Sequence, residues 1–114
     1  VIVTTTEGKV LLWSKGAELL FGHSSAEALQ RDLRDLLVPP DLLGEQNRIL
    51  QEALAGESRA YEALRRTKSG ACVYVDITSK AVWNDRGAID FVLSVKRDVT
   101  ARKVVRDAKL KGAS

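Results

Sequence analysis

The chain is poor in the residues that build disulfides, metal sites and most active centres. Among 114 residues it holds one cysteine, Cys72, and one histidine, His23. An internal disulfide is excluded, as is any zinc site built from two or more cysteines. One cysteine is compatible with a reducing compartment, and a cytoplasmic location is expected. Methionine is absent, and the only two prolines are adjacent, Pro39 and Pro40. Aromatic residues make up 5%, too few for a basic patch interleaved with stacking rings, so no nucleic acid is expected as partner. No apolar run approaches the roughly 20 residues of a membrane span. Val1-Ile2-Val3 leads straight into Thr4-Thr5-Thr6, unlike a secretory leader. No membrane contact is expected.

What remains is the profile of an ordinary folded domain, 45% hydrophobic and 29% charged. A chain of 114 residues suits one domain with one core. The net charge of +3 is concentrated near the end, in Arg97, Arg102, Lys103, Arg106, Lys109 and Lys111. Such a run reads first as a solvated helix face.

Residues 1–5 and 9–13 read as strands joined by a turn at Thr6-Glu7-Gly8-Lys9, with Gly8 free to take positive φ. Glu18–Phe21 reads as a short helix stopped by Gly22. Ser24 with Glu27 three residues on forms a capping box for the next helix. Leu33, Leu36 and Leu37 suggest another helical turn, ended by Pro39-Pro40. Asp41 is expected to cap a longer helix over 41–55, with Leu42, Leu43, Ile49, Leu50, Ala53 and Leu54 as its apolar stripe and Gly56 as its stop. Three long strands follow, over 59–67, 71–83 and 89–99, with turns at Lys68-Ser69-Gly70 and Asn84-Asp85-Arg86-Gly87. The last is apolar on both faces and is expected to be central and covered on both sides. Thr100 is placed to cap a helix opening at Ala101, whose Ala101, Val104, Val105 and Ala108 form one stripe. That helix has no face left to cover in its own domain and reads as the start of a coiled-coil linker. Lys111–Ser114 reads as a frayed end. The order ββ, helices, βββ implies an α+β fold in two layers, divided as 1–100 and 101–114.

These residues resemble the PAS family. Gly8-Lys9-Val10 with Trp13 is similar to the family's "dG-x-i-x-x-W-N" opening. Ala17-Glu18-Leu19-Leu20-Phe21-Gly22-His23-Ser24 is similar to "A-E-x-L-F-G-Y-S". Gly56, Tyr61-Glu62 and Arg65-Arg66-Thr67-Lys68-Ser69-Gly70 resemble its "G-x-x-x-x-x-E-x-x-x-R-x-K-x-G" strand. Arg97-Asp98-Val99-Thr100-Ala101-Arg102-Lys103 resembles "R-D-I-T-E-R-K". The matches are in order and cover residues 1–103; Ser14 stands where Asn is usual and Thr6 where Asp is frequent. The resemblance implies a five-stranded antiparallel sheet with several short helices on one face. It implies a pocket between the layers, and a sensor or dimerisation role in bacterial signalling proteins. Such domains sit upstream of histidine kinases of two-component systems, cyclases or transcription regulators.

Neither a catalytic constellation nor a phosphate loop is legible, so no enzymatic activity is expected; His23 reads as a surface turn residue. No cofactor is predicted. The helix over 41–55 carries no histidine for haem, and Asp32–Pro40 carries no cysteine for the light-sensing flavin chemistry of some members. Cys72 reads as a small buried hydrophobe. Trp13 and Trp83 read as core or edge packing. A non-covalent flavin or a small ligand stays compatible, and a flavin- or haem-binding redox or gas sensor is the alternative role. By the family's sheet register, Ala63, Arg65, Val75, Ile77, Ser79, Val92, Ser94 and Lys96 should face the helices and line a pocket. A cation there must reach the rim, pair with an acid, or meet an anionic ligand. Leu93, Val95 and Tyr74 should face outward and, with the terminal helix, support a homodimer. Asp98 and Thr100 should relay strand movement to that helix through capping bonds, toward an effector domain in the same chain.

Overall fold

Alternating apolar positions in two short and three long segments build one sheet, whose inner face is closed by helices. The computed structural model describes residues 1–112, with side chains to 110; the fraying expected over 111–114 falls, at 113 and 114, outside them. The strands are β1 (Ile2–Thr4), β2 (Val10–Trp13), β3 (Ala60–Arg66), β4 (Cys72–Trp83) and β5 (Ile89–Asp98). They lie in the order β2-β1-β5-β4-β3, every neighbouring pair antiparallel. Each strand ends within one or two residues of its sequence expectation.

The turns explain this agreement. Between β1 and β2, Gly8 has φ 100° and its N–H donates to Thr5 O at 3.1 Å. Between β4 and β5, Asn84 Oδ1 accepts from the N–H groups of Arg86 (2.8 Å) and Ala88 (3.1 Å), setting the register of the longest pair.

Four α-helices and one 3₁₀ turn follow β2 before β3. α1 (Lys15–Phe21) is capped by Ser14, whose Oγ accepts from Ala17 N–H at 3.2 Å. It ends at Gly22 with φ 86°, a left-handed conformation that costs any other residue strain. α2 (Ser25–Ala28) carries the expected reciprocal capping box between Ser24 and Glu27. α3 (Leu33–Leu37) is capped by Asp32. The expected Asp41 cap does not form. Pro40 fixes a 3₁₀ turn over Pro40–Leu42, and α4 (Leu43–Leu54) grows from it with Leu42 as an uncapped start.

The core lies between these helices and the sheet. Phe21, Leu37, Ile49, Ile2, Val75 and Ile77 are all essentially inaccessible, each worth about 1.5–3 kcal/mol of burial. Trp13 joins them, while Trp83 stays 56% exposed at the sheet edge. β5 is central as expected but is covered on one side only: Val95 is 48% exposed on the outer face. α5 (Thr100–Gly112) leaves β5 in contact with β4, and its Arg106 reaches Glu62 of β3.

Candidate functional site: an inner cavity and a strand-to-helix joint

Strand pairing decides which side chains meet under the helices. Ser79 lies opposite Ser94, Ile77 opposite Lys96, and Ala63 opposite Val75, so these share the inner face. All eight expected residues lie on this face, but they divide into three groups. Ala63, Val75 and Ile77 are absorbed into the apolar core. Ser79, Val92, Ser94 and Lys96 line a cavity closed from the other side by Leu33, Ile49 and Leu50. Arg65 lies beside both. The cavity measures about 20 Å³, room for about one water, which takes roughly 10–15 Å³ on this measure.

The two inner cations take different routes. Arg65 is fully buried and pairs with α4: its Nη1 donates to Glu45 Oε1 at 2.8 Å and its Nη2 to Gln46 Oε1 at 2.9 Å. Nη1 also donates to Leu64 O at 2.7 Å, while Nε is buried without a partner. Lys96 is half-buried, and among the described residues no carboxylate lies within ion-pair distance of it. Its Nζ donates to Ser94 Oγ at 2.5 Å. Burial, and then the nearby Arg65 cation, lower its pKa from 10.5 to about 7. Gln46, Asn47 and Arg34 at the cavity were not anticipated. Glu45 and Gln46 stand four and three residues before Ile49, so the α4 stripe, extended backwards, places them on its buried face.

At the far end of β5 the chain turns into α5. Asp98 Oδ1 accepts from Thr100 N–H at 2.9 Å, as expected of a turn. Thr100 does not cap the helix with its hydroxyl. Its Oγ1 instead accepts from Tyr74 N–H of β4 at 3.0 Å, and Val99 N–H donates to Tyr74 O at 2.9 Å. The helix start is thereby tied to the neighbouring strand. Further along, Lys103 Nζ lies 4.9 Å from the Tyr74 ring centroid, and Arg106 binds Glu62 of β3 at 2.6 Å. This pairing lowers the Glu62 carboxyl pKa. α5 therefore does contact its own domain, but through charges. Its stripe stays open, with Val104 59% and Val105 54% exposed.

Two single residues differ from expectation. Cys72 is exposed: it pairs with Arg66 on the outer face, away from the cavity. His23 is no surface turn residue. It is half-buried with its ring edge-on to Trp13, and its Nε2 is buried with no hydrogen-bond partner among the described residues.

The family model for the PAS domain matches residues 1–101. The chain belongs to the PAS family. Solved PAS domains share its fold. One from Colwellia psychrerythraea superposes with a TM-score of 0.80 at 22% identity, covering 88% of this chain and 85% of that one. A sensory box histidine kinase/response regulator from Burkholderia thailandensis gives 0.71 at 21% identity, covering 98% and 85%. An RNA-binding light-oxygen-voltage receptor gives 0.83 at 22% identity, covering 98% of this chain and 32% of that one. No curated protein matches in sequence.

Some PAS domains hold flavin or haem, and the residues here do not fit either. The lone cysteine is on the wrong face for a thiol–flavin bond, and α4 offers no histidine to a haem iron. The cavity is also more than tenfold smaller than the roughly 300–1,000 Å³ that drug-sized ligands occupy.

Proposed function

We propose that this PAS sensory domain detects a small ligand in the inner cavity and relays its presence through β5 to α5. One observation carries the reading: Val92, Ser94 and Lys96 line the cavity on the same strand that ends in the Asp98–Thr100 joint. A guest that spreads β4 from β5 must strain the Thr100–Tyr74 bonds, because these couple that strand pair to the helix start. The module acts in a cytoplasmic signalling protein, non-catalytic itself, with the output in an effector domain of the same chain, such as a histidine kinase, cyclase or transcription regulator. A second copy covers the outer face. Leu12 and Val95, 47% and 48% exposed on the outer sheet face, and the open Val104 and Val105 of α5 are apolar surfaces that favour a homodimer.

The relay is tested by filling the cavity. Ser79→Leu should shift the backbone amide resonances of Val99, Thr100 and Ala101 while the fold is retained. Shifts confined to the cavity lining would overturn the relay. Light scattering at tens of micromolar should give a dimer for the native chain and a monomer for Val95→Glu; a native monomer would overturn the association.

A further inference from the structure

The cavity lining has an imbalance that the sensor reading does not use. It contains two cations, Lys96 and Arg34, and no aspartate or glutamate. Arg34 is already engaged, its Nη2 2.7 Å from Asp32 Oδ2 and its Nε 3.0 Å from Asp32 Oδ1. Lys96 is not: its Nζ partner is a neutral hydroxyl. The other charged groups around it are Arg65, held by Glu45, and the Val1 ammonium, which Lys96 itself disfavours. With Arg65 balanced by Glu45, Lys96 remains beside the Val1 ammonium with no carboxylate paired to either among the described residues, an arrangement in partly dry surroundings that costs stability unless an anion arrives. Around it the chemistry is divided. Ser79 and Ser94 offer hydroxyls that can donate, and Leu33, Ile49, Leu50 and Val92 form an apolar wall.

We infer that this cavity takes a short monocarboxylate, its carboxylate on Lys96, Ser79 and Ser94 and its alkyl end on the apolar wall. The inference rests on the sensor reading for its location and adds the ligand class. A carboxylate accepts from an ammonium and two hydroxyls at once, which water and neutral solutes of this size do so less strongly. A space of about 20 Å³ must open, as the spreading of β4 from β5 in the relay allows, to admit even the smallest members of the class, so affinity is weak, no tighter than about tens of micromolar for the four heavy atoms of acetate.

Sodium acetate titrated into the native domain, with chloride holding ionic strength constant, should produce saturable amide shifts at Ser79, Ser94 and Lys96. Acetamide, neutral and of the same shape, should produce none. Lys96→Met should abolish saturation, and Ser94→Ala should weaken it roughly tenfold. Binding should weaken from pH 6 to pH 9 as Lys96 loses its proton. Non-saturating shifts, an equal response to acetamide, or undiminished binding by Lys96→Met would each overturn the inference. None of these results bears on Ser79→Leu, which tests the relay without any ligand.

Discussion

Replacing Lys96 by methionine should make the domain more stable, contrary to what removal of a hydrogen-bonding side chain ordinarily does. Methionine keeps the unbranched stem and removes the charge. The unfolded chain holds the Lys96 proton up to its ordinary pKa of 10.5, whereas the folded chain releases it near 7. Below pH 7 the folded state carries the whole cost of the buried ammonium. Between about 7 and 10.5 unfolding takes up a proton, so the native protein gains stability as pH rises. At about 1.4 kcal/mol per pKa unit, the fall from 10.5 to about 7 bounds the cost near 5 kcal/mol. Lys96 retains contact with water and a bond to Ser94, so a realised cost somewhat below that bound, about 3–4 kcal/mol, is expected, most of it recovered between about pH 7 and 9.5. Urea unfolding of both proteins at pH 6, 8 and 9.5 measures it. Arg65 with Glu45 and Arg34 with Asp32 are common to both proteins and cancel in the difference curve, which reports Lys96 together with its smaller effect on the Val1 ammonium. Lys96→Met should exceed the native protein by that margin at pH 6, with the gap closing by pH 9.5. A less stable variant at pH 6, or a gap that ignores pH, would refute the reasoning.

Thr100→Val should cost about 1 kcal/mol in urea unfolding by leaving the Tyr74 N–H without its partner, and should increase hydrogen exchange at Tyr74 and Ala101 above that at Val75. Uniform exchange changes would show that the bond has no special place at the joint. Gly22→Ala should cost about 1–2 kcal/mol, because φ 86° strains an L-residue and the new Cβ would meet Lys68 Cβ at 3.4 Å; thermal melting measures it. Glu27, bonded to Lys68 at 2.6 Å and to the Ser24 backbone, has its pKa lowered to about 2. Its contribution is present above its ordinary 4.5 and fades as pH falls toward 2, so Glu27→Gln should flatten acid unfolding in that window.

Much of the architecture was legible because strand periodicity and turn chemistry are local. Val73, Val75, Ile77, Ser79 and Ala81 alternate within one segment, and β5 inherits its facing from Asn84–Gly87. Which alternate set faces inward followed from the PAS sheet register, and the strand pairing puts all eight residues on that face. What they do there depends on the opposite layer. Arg65 pairs and Lys96 does not because Glu45 on α4 reaches one and not the other, a distance set by helix placement over the sheet. The partner of Thr100 was equally hidden. Tyr74 is 26 positions away in the chain, and only closure of β4 against β5 brings its N–H within reach. Asp41 lost its capping role because Pro40 spends the same residues on a tighter turn.

The Thr100 hydroxyl bond also sets an angular reference. An α-helix advances about 100° per residue, and the first residue of α5 is pinned to the backbone of β4. Any segment that continues this helix presents a side chosen by its residue count from Thr100. Inserting one residue after Lys109 would swing everything beyond it by more than a quarter turn, and inserting seven would restore the original bearing to within about 20°.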